Sequence, residues 1–541
     1  MTTDEALRRR VLEDLDRSLF IEASAGSGKT RELVRRAVAL LAGGQVKVDR
    51  LAIVTFTEKA AGELKLRLRQ QLDAERTTAS SPEARARLEG AIARLEEATI
   101  DTIHGFCREI LRARPLDAGI DPTFRVEGHG GRLLALAFRS WFAEQLQHPS
   151  EPLRRFLARG RVRRPGQTPS GELEDAVRSF LEHRDLTAAW PGPEEDPPVL
   201  WAELAPGLED LARDVSLGEA SDPLRVALQP WLDEYALAVG PGRAPEELEA
   251  HRVALPGLLK NGLTAPVGTG PYAPGLSRMD VTRTASQLRR KLEGYVRAVD
   301  AELAAALREE LRAVETSYRR LLRRSGALDF ADLLHLTRDL VRDQPESRRA
   351  LQERFQHIMV DELQDTDPLQ MELVLLLSTI DSRAKDPFTA QLAPGRLTLV
   401  GDPKQSIYGF RRADPALFAR ARATLVRSGG ELLSLGTSHR SVTPIQALVN
   451  RAFGDLVKTD GGLPLSGGPS SQPNQPALIA LPARHPVDRS GELNREAIRR
   501  SHPSTVAAFL AWLVRESNWQ VRDLEGRRPV RASDVCLLFR S

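Results

Sequence analysis

The sequence predicts an α/β fold built around a parallel sheet, because short apolar runs alternate with segments of helical periodicity. Residues 19–21 form an apolar run that leads into a Gly-rich turn and the helix-like stretch TRELVRRAVALLAG. Residues 51–57, LAIVTFT, precede a second helix-like stretch, and residues 98–107, ATIDTIHGFC, provide a third strand. This alternation is typical of parallel strands covered by helices.

A large helical insertion is predicted to interrupt this pattern from about residue 121. Helix-like segments broken by Pro/Gly-rich loops end there in a long helix with one apolar stripe, formed by Leu292, Val296, Val299, Leu303, Leu307, Leu311, Val314, Tyr318 and Leu321. Its arginine-rich end, YRRLLRR, is interpreted as a solvated face. Strands then return in HIMVDELQDT and RLTLVGDPKQS. After about residue 436 come the helix-like SHRSVTPIQALVNRAF, a linker over 461–476, and two strand candidates, ALIAL and VCLLF.

Length, charge and cysteine content exclude several classes of protein. At 541 residues the chain is expected to form three or four packed units. The net charge is only +3, so any nucleic-acid-binding surface must be local. Two cysteines cannot build a disulfide framework or a four-thiolate metal site. The low cysteine count predicts a cytoplasmic protein, and the charged start and the lack of a long apolar run predict a soluble one without a membrane span.

The stretch FIEASAGSGKT has the pattern of a phosphate-binding loop between a strand and a helix. Gly26 and Gly28 can take positive φ and turn backbone N–H groups toward phosphate oxygens. Lys29 would reach the β- and γ-phosphates, and the Thr30 hydroxyl would ligate Mg²⁺. Ala23 stands where the motif usually begins with Gly. The alternative is a tight strand-to-helix turn with an exposed lysine.

Acidic residues follow the apolar strand in IMVDELQDT. Asp361 is predicted to hold Mg²⁺, and Glu362 to polarise the attacking water. The alternative is that both carboxylates merely face solvent. Four polar residues follow the buried strand, interrupted only by Leu363, and they favour a site, since the carboxyl ends of strands bind ligands in open α/β sheets.

A third polar segment, GDPKQSIYGFRRAD, carries Gln405, which is suited to sensing a γ-phosphate. Tyr408 and Phe410 lie beside Arg411 and Arg412, and aromatics interleaved with arginines can stack bases and neutralise the phosphate backbone. On these residues alone, a place in the hydrophobic core is the stronger interpretation of the two aromatics.

Seven ordered motifs together resemble those of the UvrD/RecB-type superfamily 1 DNA helicases, closest to RecB-like and AddA-like members. They are EASAGSGKT, TFTEKAAGEL, TIHGFC, LDFADLL, VDELQDT, GDPKQSIYGFRRAD and LGTSHRS. The resemblance covers most of residues 1–130 and 326–450 and, faintly, 477–541.

The resemblance implies a RecA-like P-loop NTPase domain with a helical insertion, followed by the start of a second RecA-like domain. The expected boundaries are 1–125 and 325–435 for the first motor domain, 126–324 for the insertion and 436–541 for the second domain. It also implies ATP-driven 3′ to 5′ translocation on single-stranded DNA with duplex unwinding in recombination and repair. The cofactors would be ATP and Mg²⁺. The partners would be single-stranded and tailed duplex DNA, and a nuclease or second helicase subunit.

The resemblance also implies roles for individual residues. Asp361 and Thr30 would hold Mg²⁺, Glu362 would be the catalytic base, Gln405 would couple the γ-phosphate to DNA, and Arg440 would reach the γ-phosphate from the second motor domain. The phosphates would be held by the loop Ala23, Ser24, Ala25, Gly26, Ser27, Gly28, Lys29 and Thr30. The DNA track would be lined by Phe56, Thr57, His104, Phe106, Tyr408, Phe410 and Arg411.

The sequence departs from the family pattern at several positions. It has Leu363, Ser438 and Arg412 where the family usually has Phe, Asn and Gly, and no Gln upstream of the P-loop to read adenine. The family's last two helicase motifs are missing, so an N-terminal fragment is expected. Two hypotheses compete with the helicase. One is a P-loop ATPase that acts on protein or small molecules, and the other is a DNA-binding scaffold subunit that does not hydrolyse ATP.

Overall fold

A computed structural model describes residues 3–128, 131–159, 169–184, 192–263, 268–459, 464–468, 475–482, 487, 495–522 and 526–538. The strands are β1 (Leu19–Ala23), β2 (Leu51–Thr55), β3 (Thr99–Thr102), β4 (Arg125–Val126), β5 (Ala327–Leu328), β6 (His357–Val360), β7 (Leu397–Gly401), β8 (Glu431–Leu435), β9 (Gln520–Arg522) and β10 (Arg527–Pro529). The helices are α1 (Thr3–Glu13), α2 (Lys29–Ala42), α3 (Glu58–Thr78), α4 (Pro82–Ala93), α5 (Ile103–Ala113), α6 (Gly131–Gln145), α7 (Glu151–Arg159), α8 (Pro169–Glu182), α9 (Pro197–Leu217), α10 (Pro223–Val239), α11 (Pro245–Leu263), α12 (Arg278–Arg324), α13 (Phe330–Asp343), α14 (Pro345–Arg354), α15 (Pro368–Ser378), α16 (Pro415–Arg427), α17 (Thr443–Thr459) and α18 (Arg495–Arg515).

The predicted parallel sheet is confirmed and has six strands in the order β3-β2-β6-β7-β1-β8. Every neighbouring pair in it is parallel. The strands are apolar runs because both faces of the sheet are covered, and β2 and β7 are buried along their whole length. All six carboxyl ends therefore lie at one edge of the sheet.

A chain of buried polar groups links three elements inside this sheet domain. The Nε of Arg36 on α2 donates to Thr398 Oγ1 at 3.0 Å, and that hydroxyl lies 3.0 Å from His357 Nε2. The other imidazole nitrogen, Nδ1, is 2.7 Å from the Gly395 carbonyl oxygen. The geometry fits one neutral tautomer, with the proton on Nδ1 and Nε2 accepting from the threonine hydroxyl. Burial and the Arg36 charge lower the pKa of His357 to about 3.

The chain divides into two compact units, residues 1–110 with 338–541 and residues 111–337. The predicted helical insertion lies within the second unit, whose limits differ from the expected 126–324. Strands β4 and β5 explain the difference, since they pair with each other in a two-stranded parallel ladder within the second unit. Residues 436–541 are grouped with the first unit.

The core of the helical unit forms around α12, as its apolar stripe predicts. Of the nine stripe residues, seven are buried, whereas Val296 and Leu321 are half-buried. The arginines of the YRRLLRR segment are exposed, which confirms their interpretation as a solvated face.

The two strand candidates near the end of the chain do not form strands. Within the described part of residues 477–481 and 535–539, the backbone is irregular, and the exposed fractions of Leu478 and Leu538 are 48% and 91%. A strand needs a hydrogen-bonded neighbour, and the described residues of neither segment belong to a sheet. The predicted helix after residue 440 is confirmed as α17. Over the described residues, no helix is long and apolar enough to cross a membrane.

Candidate functional site

The loop between β1 and α2 has the shape that the phosphate-binding motif requires. Gly26 and Gly28 have φ of +78° and +91°, and Gly28 is the N-cap of α2. The buried Ser27 closes the loop, because its N–H and hydroxyl donate to the Ser24 carbonyl at 3.1 and 2.7 Å. The first N–H groups of α2 have no acceptor within the helix and so remain available to an anion.

The off-pattern Ala23 is explained by its place as the last residue of β1. It is fully buried and does not have a positive φ, so glycine is not required there. Gly26 is different, because a Cβ at this position would lie 2.5 Å from Arg440 Cβ and 2.6 Å from Ser438 Oγ. Only glycine allows this close approach.

The predicted nucleotide and metal residues converge at the carboxyl ends of β1 and β6. Thr30 Oγ1 donates to Asp361 Oδ2 at 2.9 Å. Lys29 Nζ lies 3.2 Å from Glu362 Oε2, with exposed side-chain fractions of 10% and 36%. The ammonium is buried and makes no hydrogen bond to the described residues.

This arrangement fits a magnesium–nucleotide complex. A buried ammonium without a hydrogen-bond acceptor suits a phosphate oxygen, and hydroxyl and carboxylate oxygens suit Mg²⁺. Among the described residues, no group of three or more His, Cys, Asp or Glu side chains is placed to hold a metal ion. Mg²⁺ usually binds through one or two carboxylates together with substrate phosphates, which agrees with this donor set.

Two carboxyl groups at the site have raised pKa values. Burial, followed by the Glu362 charge, raises the pKa of Asp361 to about 6, although the Thr30 hydrogen bond opposes this. Burial and the same glutamate raise the pKa of Asp365 to about 6. Both shifts arise because several acidic groups share a desolvated site, which is an arrangement that a cation would stabilise.

Glu362 adopts a left-handed backbone conformation that is unusual for a side-chain-bearing residue. Its φ is +55°, and it is the second residue after the end of β6. Backbone strain of this kind costs about 1–3 kcal/mol and concentrates at functional sites. The turn aims the two adjacent carboxylates differently, with Asp361 bonded to Thr30 and Glu362 facing Lys29.

The loop after β7 lies beside the phosphate-binding loop. Gln405 Nε2 donates to Asp402 Oδ2 at 2.7 Å, and Lys404 Nζ donates to Ser24 Oγ at 3.2 Å. The predicted γ-phosphate sensor, Gln405, therefore lies at the same edge of the sheet as the phosphate-binding loop.

Arg440 is exposed and lies next to the phosphate-binding loop through its backbone. The N–H of the preceding His439 donates to the Gly26 carbonyl at 2.8 Å. Helix α1 secures the same segment, because Asp4 Oδ2 accepts from the Thr437 N–H at 2.8 Å.

Three of the predicted DNA-contacting aromatics form a continuous cluster. The ring centroids of Phe56 and Tyr408 are 4.8 Å apart, and those of Tyr408 and Phe410 are 5.6 Å apart. Phe410 is 76% exposed, so the interpretation of this residue as core is wrong. Its exposed ring is available for stacking.

The other residues predicted to contact DNA differ in how far they are exposed to solvent. Thr57 is exposed and caps α3 by accepting from the Ala60 N–H at 3.1 Å. His104 is half-buried, and burial lowers its pKa. The side chain of Arg411 lies outside the described part of the structure. Arg412, which replaces the family's usual Gly, has φ of +69°, the conformation that glycine favours.

The prediction that Phe106 lines the DNA track is wrong. Its side chain is fully buried, and its ring centroid lies 4.9 Å from that of Phe355 in an edge-to-face contact. The spacing of α5 turns this residue into the core, where it packs α5 against the end of α14.

Sequence reasoning missed two supports of the site, Gln364 and Arg8. Gln364 connects Glu362 to the loop after β7, and the polar run DELQD was the available signal for it. Arg8 on α1 donates to the Ser27 carbonyl at 2.6 Å and forms an ion pair with the buried Glu32. Nothing in the local sequence around Arg8 indicates this contact.

Comparisons with known proteins agree with this geometry. The chain is 27% identical over 524 residues to the A subunit of the ATP-dependent helicase/nuclease of Ligilactobacillus salivarius (strain UCC118), covering 83% of this chain and 38% of that protein. It is 28% identical over 607 residues to the protein of the same name from Desulforudis audaxviator (strain MP104C), covering 97% and 47%. The chain thus spans less than half the length of these curated relatives. The sequence profile of the UvrD/REP helicase N-terminal domain matches residues 4–425, and the chain therefore belongs to this helicase family.

Proposed function

We propose that this chain carries the nucleotide- and DNA-binding machinery of an ATP-dependent 3′ to 5′ DNA helicase that acts on single-stranded DNA in recombination and repair. The observation that carries the proposal is the position of the aromatic cluster Phe56, Tyr408 and Phe410. It lies on segments that leave the same sheet edge as Lys29 and Glu362. One edge thus supplies both a phosphate site and a surface for bases.

At the nucleotide, each side chain has a distinct task. Lys29 neutralises phosphate charge, Thr30 and Asp361 hold Mg²⁺, and Glu362 accepts the proton of the attacking water. Bound Mg²⁺ supplies charge neutralisation at the phosphates that are transferred. Lys29 is paired with Glu362 at 3.2 Å, so phosphate binding would exchange this ion pair for one with the ligand.

At the DNA, Phe410 provides an exposed ring for a base, with Tyr408 and Phe56 behind it. Stacking is tolerant of sequence, because every base has a π-face, and this suits a motor that must move along any strand. Thr57, at the N-terminus of α3, is exposed beside the cluster and is proposed to contact the DNA backbone.

The names of the relatives support an assembly of more than one chain. Each relative is named as one subunit of a helicase/nuclease, so we place this chain in a complex that contains a second subunit and carries a nuclease activity.

The test is an ATPase assay, with and without oligo(dT), of the longest native chain that contains these residues, followed by unwinding of duplexes with a 3′ or a 5′ single-stranded tail. DNA-stimulated hydrolysis and unwinding of the 3′-tailed substrate alone are expected. Absence of hydrolysis would instead support a scaffold subunit. An ATP hydrolysis rate that does not change when DNA is added would support an ATPase that acts on another substrate.

A further inference from the structure

Gln364 is a buried glutamine whose amide is bonded at both ends. It is 5% exposed. Its Nε2 donates to Glu362 Oε2 at 2.6 Å, and its Oε1 accepts from the Asp402 N–H at 2.9 Å. The orientation of the amide follows from its partners, since a carboxylate only accepts and a backbone N–H only donates.

The backbone around Gln364 is fitted to these contacts. Its own carbonyl accepts from Ser406 Oγ at 3.0 Å. A Cβ on Gly401 would lie 2.9 Å from Gln364 Oε1, so the end of β7 can approach the amide only because residue 401 is glycine. Gln364 thus holds the loop after β7 at two points, Asp402 and Ser406.

The same loop leads directly to the aromatic cluster. Asp402 also accepts from Gln405 at 2.7 Å, and three residues after Gln405 the chain reaches Tyr408, which contacts Phe56 and Phe410. A continuous path of contacts therefore runs from Glu362 through Gln364 and Asp402 to the surface proposed for DNA.

We propose that Gln364 is a positioning residue that transmits the state of the DNA-binding loop 402–410 to the carboxylate of Glu362. Lys29 and Gln364 both contact Glu362 Oε2, at 3.2 and 2.6 Å. If Lys29 binds phosphate instead, Gln364 is the remaining described partner of this oxygen. Because Gln364 Oε1 is bonded to the Asp402 N–H, the amide would move together with the loop after β7. DNA contact at Tyr408 and Phe410 then adjusts the orientation of the base. This inference rests on the proposed function.

The first test is independent of catalysis and compares the intact wild-type protein with Gln364→Met. Amide hydrogen exchange is measured without nucleotide, before and after addition of oligo(dT). In wild type, DNA is expected to change exchange in both 402–410 and 361–366. In the variant, the amide of Asp402 is expected to exchange about tenfold faster, because it has lost its acceptor, and the response of 361–366 to DNA is expected to vanish.

The second test measures the ratio of DNA-stimulated to unstimulated ATPase rates. Gln364→Met is expected to reduce this ratio to nearly one, while the dissociation constants for oligo(dT) and for a fluorescent ADP stay within about twofold of wild type. Gln364→Glu keeps the acceptor for the Asp402 N–H but cannot donate to Glu362. Its ratio of stimulated to unstimulated rates is therefore also expected to fall to nearly one. The matched control is Gln352→Met, which removes another buried glutamine, bonded to the Thr379 carbonyl at 2.8 Å.

The outcomes separate this inference from the proposed function. If wild type shows no response to DNA, the proposed function fails. If wild type responds and Gln364→Met or Gln364→Glu responds equally, the function stands and the role of Gln364 is overturned. An equal loss of the ratio in Gln352→Met, or a parallel loss of nucleotide affinity in Gln364→Met, would show a general structural effect and would also overturn it.

Discussion

Lys29 Nζ lies 3.2 Å from Glu362 Oε2, so the proposed phosphate-binding cation and the proposed catalytic base form an ion pair. The ammonium is otherwise buried without a hydrogen bond to the described residues. We therefore expect phosphate binding to do two things at once, namely to give the lysine a hydrogen-bond acceptor and to release the glutamate from its ion pair.

Substitution at these two positions should separate binding from turnover. Lys29→Ala is expected to abolish binding of a fluorescent ATP analogue, because it removes the cation that faces the phosphates. Glu362→Gln is expected to leave binding intact and lower kcat by about 10²–10⁴-fold, the usual contribution of a general base. Hydrolysis by Glu362→Gln at the wild-type rate would contradict the assignment of the base.

The exposed ring of Phe410 provides a test of the DNA surface. Phe410→Ala should weaken binding of oligo(dT) by about 1–3 kcal/mol, the value of one stacked base. Ile407→Ala is a suitable control, since Ile407 is 72% exposed on the same loop but has no aromatic face. If the Phe410 variant and wild type bind oligo(dT) with equal affinity in a fluorescence-anisotropy titration, Phe410 does not contact the DNA.

The two glycines of the phosphate-binding loop offer a matched pair. Both have positive φ, so Gly28→Ala is expected to cost about 1–2 kcal/mol of unfolding free energy from backbone strain. A Cβ on Gly28 meets no atom closer than 3.8 Å, whereas one on Gly26 would overlap Arg440 Cβ at 2.5 Å. Gly26→Ala should therefore lower the free energy of unfolding more than Gly28→Ala in urea titrations. The reverse order would show that residues 438–440 do not pack against the loop.

The buried His357 should make the sheet domain sensitive to acid. Its pKa is lowered from the ordinary 6.5 to about 3 by burial and the Arg36 charge, so the folded state keeps it neutral while the unfolded state takes up a proton. Stability from this residue is present above pH 6.5 and is lost as the pH falls toward 3. At pH 5 the loss is about 2 kcal/mol relative to pH 7.

The measurement is the urea-unfolding free energy of wild type and His357→Gln at pH 7, 6 and 5. The glutamine variant is expected to show a smaller decrease on acidification, whatever its stability at pH 7. Parallel decreases in the two proteins would show that another group causes the acid sensitivity.

Much of the fold and the phosphate site could be predicted because the relevant signals are local. The strand, turn and helix around Gly28 lie within a few residues of one another, and apolar runs identify buried parallel strands directly. Motif letters do not give the direction of a side chain, which is why the motif alone assigns Phe106 to the DNA track although α5 turns it into the core.

Contacts between distant segments could not be predicted in the same way. The bond between Gln364 and the Asp402 N–H exists because β6 and β7 are neighbours in the sheet, and no pattern within either motif specifies that pairing. The segments at 477–481 and 535–539 have the composition of strands. Composition does not provide a neighbouring strand, and their described residues remain irregular.

The last prediction concerns residues 1–541 as a purified protein. Lys29, Thr30 and Asp361 lie at the start of α2 and the end of β6, within the six-stranded sheet domain, so Mg²⁺–nucleotide binding is expected in full. Arg440 depends on a different part of the chain. Its side chain is exposed, and the described residues after 436 contribute no strand to the six-stranded sheet.

An arginine in place is worth about 10³–10⁵ in the rate of related phosphoryl transfers, and a misplacement of about 1 Å costs about 100-fold. A helicase of this family also converts hydrolysis into movement by opening and closing a gap between two RecA-like domains, as the resemblance implies. Residues 1–541 are therefore expected to bind ATP with Mg²⁺, to hydrolyse it very slowly, and to separate no strands of a duplex with a 3′ tail. Robust unwinding by this protein in a gel-based assay would show that residues 1–541 suffice for strand separation and would contradict this expectation.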